Sequence, residues 1–256
     1  MLATGTDSDG RLQLWDTHSW SELITIDHPI GRNIWSTAFS PRGDYFAACG
    51  WQGATVWRLT VGTSDEATSS KPALELVARP SEERVDFVCF TDDSRYLAWA
   101  ESVSGYRAHV WDLKESRELT LPVPQVAYTL ESLSFQPNSH HLVFVSGNRD
   151  IEIWDVAAGR NVESFPCEGL TTGGLHSALS PDGTWLATGG GGQSVAIWDL
   201  KRRERLFMLP QERSTVWSID WSPDCRQLAV GSSSGSVVLW DITRIREQLD
   251  EMGLAW

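Results

Sequence analysis

Positive charge, cysteine and long apolar runs are what this sequence has least of. Its 21 Lys and Arg face 34 Asp and Glu, for a net charge of −13. Nucleic-acid binding draws most of its affinity from basic side chains that neutralise phosphates, so this balance argues against a nucleic-acid partner and against docking on anionic lipid. The one basic run, Lys201-Arg202-Arg203, is followed by Glu204 and falls in a predicted turn, where short charged runs are solvated. No stretch approaches the roughly 18 apolar residues that a membrane helix needs. The first ten residues carry neither the basic flank nor the apolar run of a secretory signal. The four cysteines, Cys49, Cys89, Cys167 and Cys225, form no C-x-x-C pair. They read as reduced structural thiols, which suits a cytoplasmic compartment.

Signatures of chemistry are missing too. There is no G-x-G-x-x-G after a strand, no Walker loop and no H-E-x-x-H. The run Gly189-Gly190-Gly191-Gly192 lies between two predicted strands rather than between a strand and a helix, so it reads as a hairpin turn and not as a phosphate cradle. The histidines are His18, His28, His109, His140, His141 and His176. Adjacent His140 and His141 at a strand start point to opposite faces, a poor arrangement for one metal. No nucleophile elbow is present. The sequence therefore predicts no catalytic residue, no cofactor and no metal ligand.

What the sequence has in excess is tryptophan, 14 in 256 residues, and their positions repeat. Aligned on one Trp per unit, the chain reads Gln13-Leu14-Trp15-Asp16, Thr55-Val56-Trp57-Arg58, His109-Val110-Trp111-Asp112, Glu152-Ile153-Trp154-Asp155, Ala196-Ile197-Trp198-Asp199 and Val238-Leu239-Trp240-Asp241. The spacings are 42, 54, 43, 44 and 42 residues, the length of a four-stranded propeller blade. About 19 residues before most of these tryptophans an apolar strand ends in a turn: Phe39-Ser40-Pro41-Arg42-Gly43, Phe90-Thr91-Asp92-Asp93-Ser94, Phe135-Gln136-Pro137-Asn138-Ser139, Leu179-Ser180-Pro181-Asp182-Gly183 and Trp221-Ser222-Pro223-Asp224-Cys225. Proline presets the turn, and Asp, Asn or Gly follow where polar or positive-φ residues are wanted. A second strand follows, such as Trp185-Leu186-Ala187-Thr188-Gly189. The third carries the Trp, and a looser fourth follows, such as Leu23-Ile24-Thr25-Ile26 or Arg205–Leu209. Near-continuous apolar runs describe strands buried between stacked sheets.

These turns and Trp-Asp endings resemble the WD40 family over residues 1–242. The resemblance implies an all-β WD40 β-propeller of six repeats, near 1–30, 31–80, 81–125, 126–168, 169–211 and 212–242. The family's Gly-His pair is missing from His28-Pro29-Ile30-Gly31, from Leu170–Gly174 and from Gln211–Ser214, and only Asp9 matches its tight-turn Asp. Its Asp-His-Ser/Thr-Trp network is therefore expected to be largely absent, with the blades held mostly by apolar packing.

Met1-Leu2-Ala3-Thr4-Gly5 aligns with a second strand, and the last repeat stops at its third, so the first and last blades are expected to be incomplete. Open sheet edges are liabilities; a longer parent chain supplying the missing strands or a seventh blade is the expected remedy, and an open ring, or one closed by a partner, is the alternative. Residues 243–256 read as a short amphipathic helix and tail, with Ile242, Ile245, Leu249 and Met252 at helical spacing, Thr243 as N-cap and Gly253 as C-terminal cap. The tail resembles the endings of large bacterial WD40 proteins, several of which carry an upstream kinase domain. The Ser/Thr-rich stretch 61–72 accounts for the long spacing and reads as a mobile surface insertion.

In the family, the residue before the Ser-x-x-Phe of the first strand faces the top surface near the channel. Carried over, these positions are Trp35, Asp86, Glu131, Leu175 and Trp217, with Arg32, Arg84, His176 and Arg213 beside them. Tryptophan and arginine are favoured interface anchors, so this set would suit a peptide offering apolar and basic groups. The alternative is that Trp35 and Trp217 plug the channel mouth as core. The function expected is a non-catalytic scaffold that binds other proteins or peptides, as part of a larger signalling protein. Its rival is an enzyme or small-ligand propeller using the channel.

Overall fold

The computed structural model describes residues 1–6, 9–29, 31, 33–61, 72–101, 107–119, 121, 132–146, 150–167, 176–190, 194–210 and 214–253. The 61–72 insertion thus lies almost wholly outside the described residues, as does part of the four-glycine run. Six sheets form in chain order. Sheet one holds β1 (Leu2–Gly5), β2 (Arg11–Trp15) and β3 (Glu22–Asp27). Sheet two holds β4 (Ile34–Phe39), β5 (Tyr45–Gly50), β6 (Gly53–Thr60) and β7 (Ala73–Ser81). Sheet three holds β8 (Val85–Phe90), β9 (Tyr96–Glu101), β10 (Arg107–Asp112) and β11 (Arg117–Leu119). Sheet four holds β12 (Leu133–Phe135), β13 (His141–Val145), β14 (Asp150–Asp155) and β15 (Arg160–Pro166). Sheet five holds β16 (His176–Leu179), β17 (Trp185–Gly189), β18 (Val195–Asp199) and β19 (Glu204–Met208). Sheet six holds β20 (Val216–Trp221), β21 (Gln227–Ser232) and β22 (Val237–Asp241), and helix α1 (Ile242–Glu251) follows it.

Within every sheet, strands consecutive in sequence are neighbours in space. The six repeat tryptophans fall on β2, β6, β10, β14, β18 and β22, the third-strand position throughout. Sheets one and six have three strands each, as their truncated repeats predict. The fold is a six-bladed β-propeller with one short C-terminal helix.

The chain groups into two compact units. The first contains β1–β11 and the turns at 138–140 and 156–160; the second contains the remainder of sheets four to six with α1. In the first unit, Leu12, Leu14, Phe46 and Trp57 fill the space between sheets one and two, and Cys49, Val56, Val88, Leu97 and Trp99 that between sheets two and three. In the second unit, Val143, Ile153, Leu186 and Trp198 join sheets four and five, and Ile197, Val216, Ile219, Leu228 and Ile242 join sheets five, six and the helix. Strands such as β5 and β17 are buried on both faces, the reason their sequences do not alternate.

The turn between first and second strands is closed by one hydroxyl. Ser40, Thr91, Ser180 and Ser222 accept through their side-chain oxygens from the backbone N–H of Tyr45, Tyr96, Trp185 and Gln227. The same hydroxyls donate to Asp44, Asp93, Asp182 and Asp224.

The Asp that follows the repeat Trp also has a repeated task. Asp16 accepts from the N–H of His18, Asp112 from Lys114 and Glu115, and Asp199 from Lys201 and Arg202. Each carboxylate thereby starts the turn into the fourth strand. In the last repeat Asp241 accepts instead from the N–H of Arg244 at 2.9 Å and caps α1. The N-cap is therefore Asp241 and not Thr243, because a carboxylate already held at the end of β22 reaches the first helical turn. Of the expected apolar stripe, Ile242 is buried and Ile245 packs on the core, whereas Met252 is exposed. Gly253 has a φ of 72°, the left-handed conformation expected just past a helix end.

Asp112 is the most buried carboxylate of this set, and Arg95 Nη2 lies 3.0 Å from it. Asp112→Ala is expected to cost about 2–3 kcal/mol, the loss of two charge-assisted backbone bonds plus part of an ion pair. Urea unfolding of the variant checks this; a loss below about 1 kcal/mol would place the turn's stability elsewhere.

Two pieces of the polar network survive the missing Gly-His beside the apolar packing. Trp15 and Trp198 donate from Nε1 to Thr4 and Thr188 at 3.0 and 2.8 Å. His28 is buried, its Nε2 2.9 Å from Thr55 Oγ1 and its ring edge-on to Trp57. In the sixth repeat Trp240 Nε1 has no partner among the described residues.

Candidate functional site

Three of the residues carried over from the resemblance share one backbone device. In β4 the pairing register shifts between Ile34 and Ser36, in β8 between Val85 and Phe87, and in β20 between Val216 and Ser218. The extra residues are Trp35, Asp86 and Trp217. A β-bulge leaves one residue unpaired and re-aims its side chain, and each of these three directly follows a buried residue, Ile34, Val85 or Val216. Trp35 is 39% exposed and Trp217 63%, so neither indole is core. Glu131, Leu175, Arg32 and Arg213 lie outside the described residues. His176 opens β16, half-buried, and burial pushes its imidazole below the ordinary histidine range.

The first unit brings Trp35, Arg84 and Asp86 together and adds Trp51, which the sequence reading missed. Trp51 sits in the turn Gly50-Trp51-Gln52-Gly53 between β5 and β6, 54% exposed. Its N–H donates to the Asn33 carbonyl at 3.2 Å. Its ring meets that of Trp35 at 83°, centroids 5.7 Å apart. The Arg84 guanidinium carbon lies 4.6 Å from the Trp35 centroid and 5.4 Å from that of Trp51. Arg84 Nε donates to Asp86 Oδ1 at 3.0 Å. Beneath the corner, burial first and the Asp86 charge second push the Cys49 thiol far above its usual range, so this cysteine is an inert core residue. An aromatic residue between two glycines of a tight turn was the available signal for Trp51, because a turn cannot bury it.

A second concavity, about 450 Å³, is lined by Arg42, Asp92, Asp93, Asn138, Ser139 and His140. Two pairs of its lining groups are bonded to each other. Asp92 accepts from the Asn138 N–H, and Asp93 is 3.0 Å from His140 Nε2. Although burial opposes ionisation, bonds from Thr91, His140 and Arg95 hold the Asp93 carboxyl at about 2. The cleft stitches turns together. Among the described residues no group of three or more His, Cys, Asp or Glu could hold a metal ion, and no helix is long and apolar enough to cross a membrane.

The blades, the Trp register and the turn chemistry are similar to those of WD40-repeat β-propellers. The family described as WD domain, G-beta repeat matches residues 20–57, 171–199 and 203–241. The chain is 23% identical to the DDB1- and CUL4-associated factor 11 homolog of Caenorhabditis elegans, over 78% of this chain and 36% of that protein. It is 25% identical to WD repeat and SOCS box-containing protein 1 of Xenopus tropicalis, over 71% and 53%. It is 26% identical to the target of rapamycin complex subunit LST8 of Bos taurus, over 75% and 55%. The chain thus spans between 36% and 55% of the length of these relatives.

Proposed function

We propose that the chain is a non-catalytic protein-interaction module that docks a peptide on the Trp35–Trp51–Arg84–Asp86 corner. The observation that carries this reading is the pair of exposed, mutually perpendicular indoles beside a carboxylate. A bulge and a glycine-framed turn fix them on a rigid sheet. Tryptophan and arginine dominate the energetics of protein interfaces, and rigid scaffolds place such anchors at the ends of their strands. The chain's charge of −13 favours a peptide that combines apolar with basic groups. The relatives' names describe an associated factor and a subunit of a complex, roles in keeping with an adaptor. Four free cysteines accord with a cytoplasmic setting.

Random peptides displayed on phage and panned against the full chain test the reading. Enriched peptides are expected to lose about tenfold or more in affinity on Trp35→Ala and on Trp51→Ala, at an unchanged unfolding temperature. Absence of enrichment, or binding untouched by both substitutions, would overturn it.

A further inference from the structure

We propose that the corner is a receptor for a guanidinium, and that Arg84 occupies it in cis where an arginine of the partner would sit. This rests on the docking reading above and specifies its ligand. Two π faces and one carboxylate are the groups that recognise a planar cation, and here all three converge on a single guanidinium. Asp86 is the more deeply set member, its side chain 13% exposed against 40% for Arg84. The receptor is therefore built into β8, while its present occupant reaches in from the segment preceding that strand.

Arg84 is also held by one point only. Among the described residues its Nε alone finds an acceptor, and that is a single carboxylate oxygen. A guanidinium arriving from solvent would be free to present its terminal nitrogens as a fork to Asp86 while stacking on the indoles, a geometry that a lysine ammonium cannot reproduce. The cis side chain then acts as an intramolecular competitor. It keeps the indole corner and the carboxylate covered when no partner is present, and it lowers the apparent affinity for any arginine that must displace it.

The experiment is isothermal titration of the full chain with acetyl-Gly-Arg-Gly-amide, its citrulline counterpart and its lysine counterpart. Arg84→Ala and Arg84→Gln are each expected to bind the arginine peptide about tenfold more tightly than the parent chain. Trp51→Ala on the Arg84→Ala background is expected to abolish the gain, and citrulline, the same shape without the charge, to bind about tenfold more weakly than arginine. Thermal unfolding of each variant establishes that it is folded. No gain in either Arg84 variant, or equal binding of citrulline, overturns the proposal. Phage peptides that depend on Trp35 but contain no arginine would sink the guanidinium receptor and leave the docking surface standing. A gain for the arginine peptide in the Arg84 variants without any phage enrichment would do the reverse.

Discussion

Gly53→Ala is expected to destabilise the chain by about 2–5 kcal/mol, the sum of a backbone conformation closed to alanine and an overpacked contact. Gly53 has a φ of 121°, which side-chain-bearing residues rarely adopt. An alanine Cβ there would fall on the Ser81 carbonyl oxygen, well inside van der Waals contact, and that oxygen belongs to the end of β7, which cannot swing away like a side chain. Gly43 supplies the control. Its φ is 74°, yet a Cβ there would meet nothing within 4 Å, so Gly43→Ala is expected to cost only the backbone term, about 1–2 kcal/mol. Urea unfolding of both variants separates conformational from steric cost, and equal losses would show that the close approach to β7 contributes nothing. Because Gly53 closes the turn that carries Trp51, the same substitution is expected to disturb the indole pair, read as a change in tryptophan emission.

Acidification from pH 7 to pH 4 is expected to remove about 3 kcal/mol of stability through His28. Burial, outweighing a backbone bond to Ala48, pushes this imidazole down to about 4. The unfolded chain takes up the proton near the ordinary value of 6.5, whereas the folded chain refuses it until about 4. Protons therefore favour the unfolded state across that window, and the loss accumulates as pH falls from 6.5 to 4. His28→Gln, which keeps a polar group near Thr55 but does not titrate, is expected to flatten the dependence. An unchanged slope in that variant would assign the acid sensitivity to other groups.

His109 works in the opposite direction. Burial opposes its charge, but bonds to Glu101 and Glu118 win and raise its pKa, so its contribution is complete at low pH and lost as pH rises through the raised value. Glu101 is held at about 2, chiefly by its bond from His109, and its contribution fades only as pH falls from 4.5 towards 2. The His28 window lies largely above that one.

Blade number, strand order and turn chemistry were legible in the sequence because each is local. A Trp every forty-odd residues, or a Ser-Pro-Asp-Gly run, specifies its neighbours in the chain whatever else happens. The positions Trp35, Asp86 and Trp217 could be listed from the repeat register, although the bulges at which they sit follow only from strand pairing. Trp51 was missed because it belongs to another hairpin, and its closeness to Trp35 is set by the pairing of Ile34 with Gly50 and not by either residue's surroundings in sequence. The His28–Thr55 contact was invisible for the same reason: it joins a loop to the next sheet across 27 positions. Asp241 as N-cap was overlooked because it had already been assigned to the Trp-Asp ending.

That double identity of Asp241 bears on how such arrays change over generations. Tandem repeats are copied and lost as whole units, and each event asks a unit that once continued into a further strand to do something else. Here the carboxylate that would open a turn opens a helix instead, with no new signal upstream of it. Ten residues, Ile242–Glu251, thus suffice to convert an ordinary repeat ending into a helix whose first residue seals the neighbouring core. The raw material for that conversion is already present in this chain wherever Trp is followed by Asp, so its recurrent Trp-Asp ending doubles as a ready-made splice point between sheet and helix.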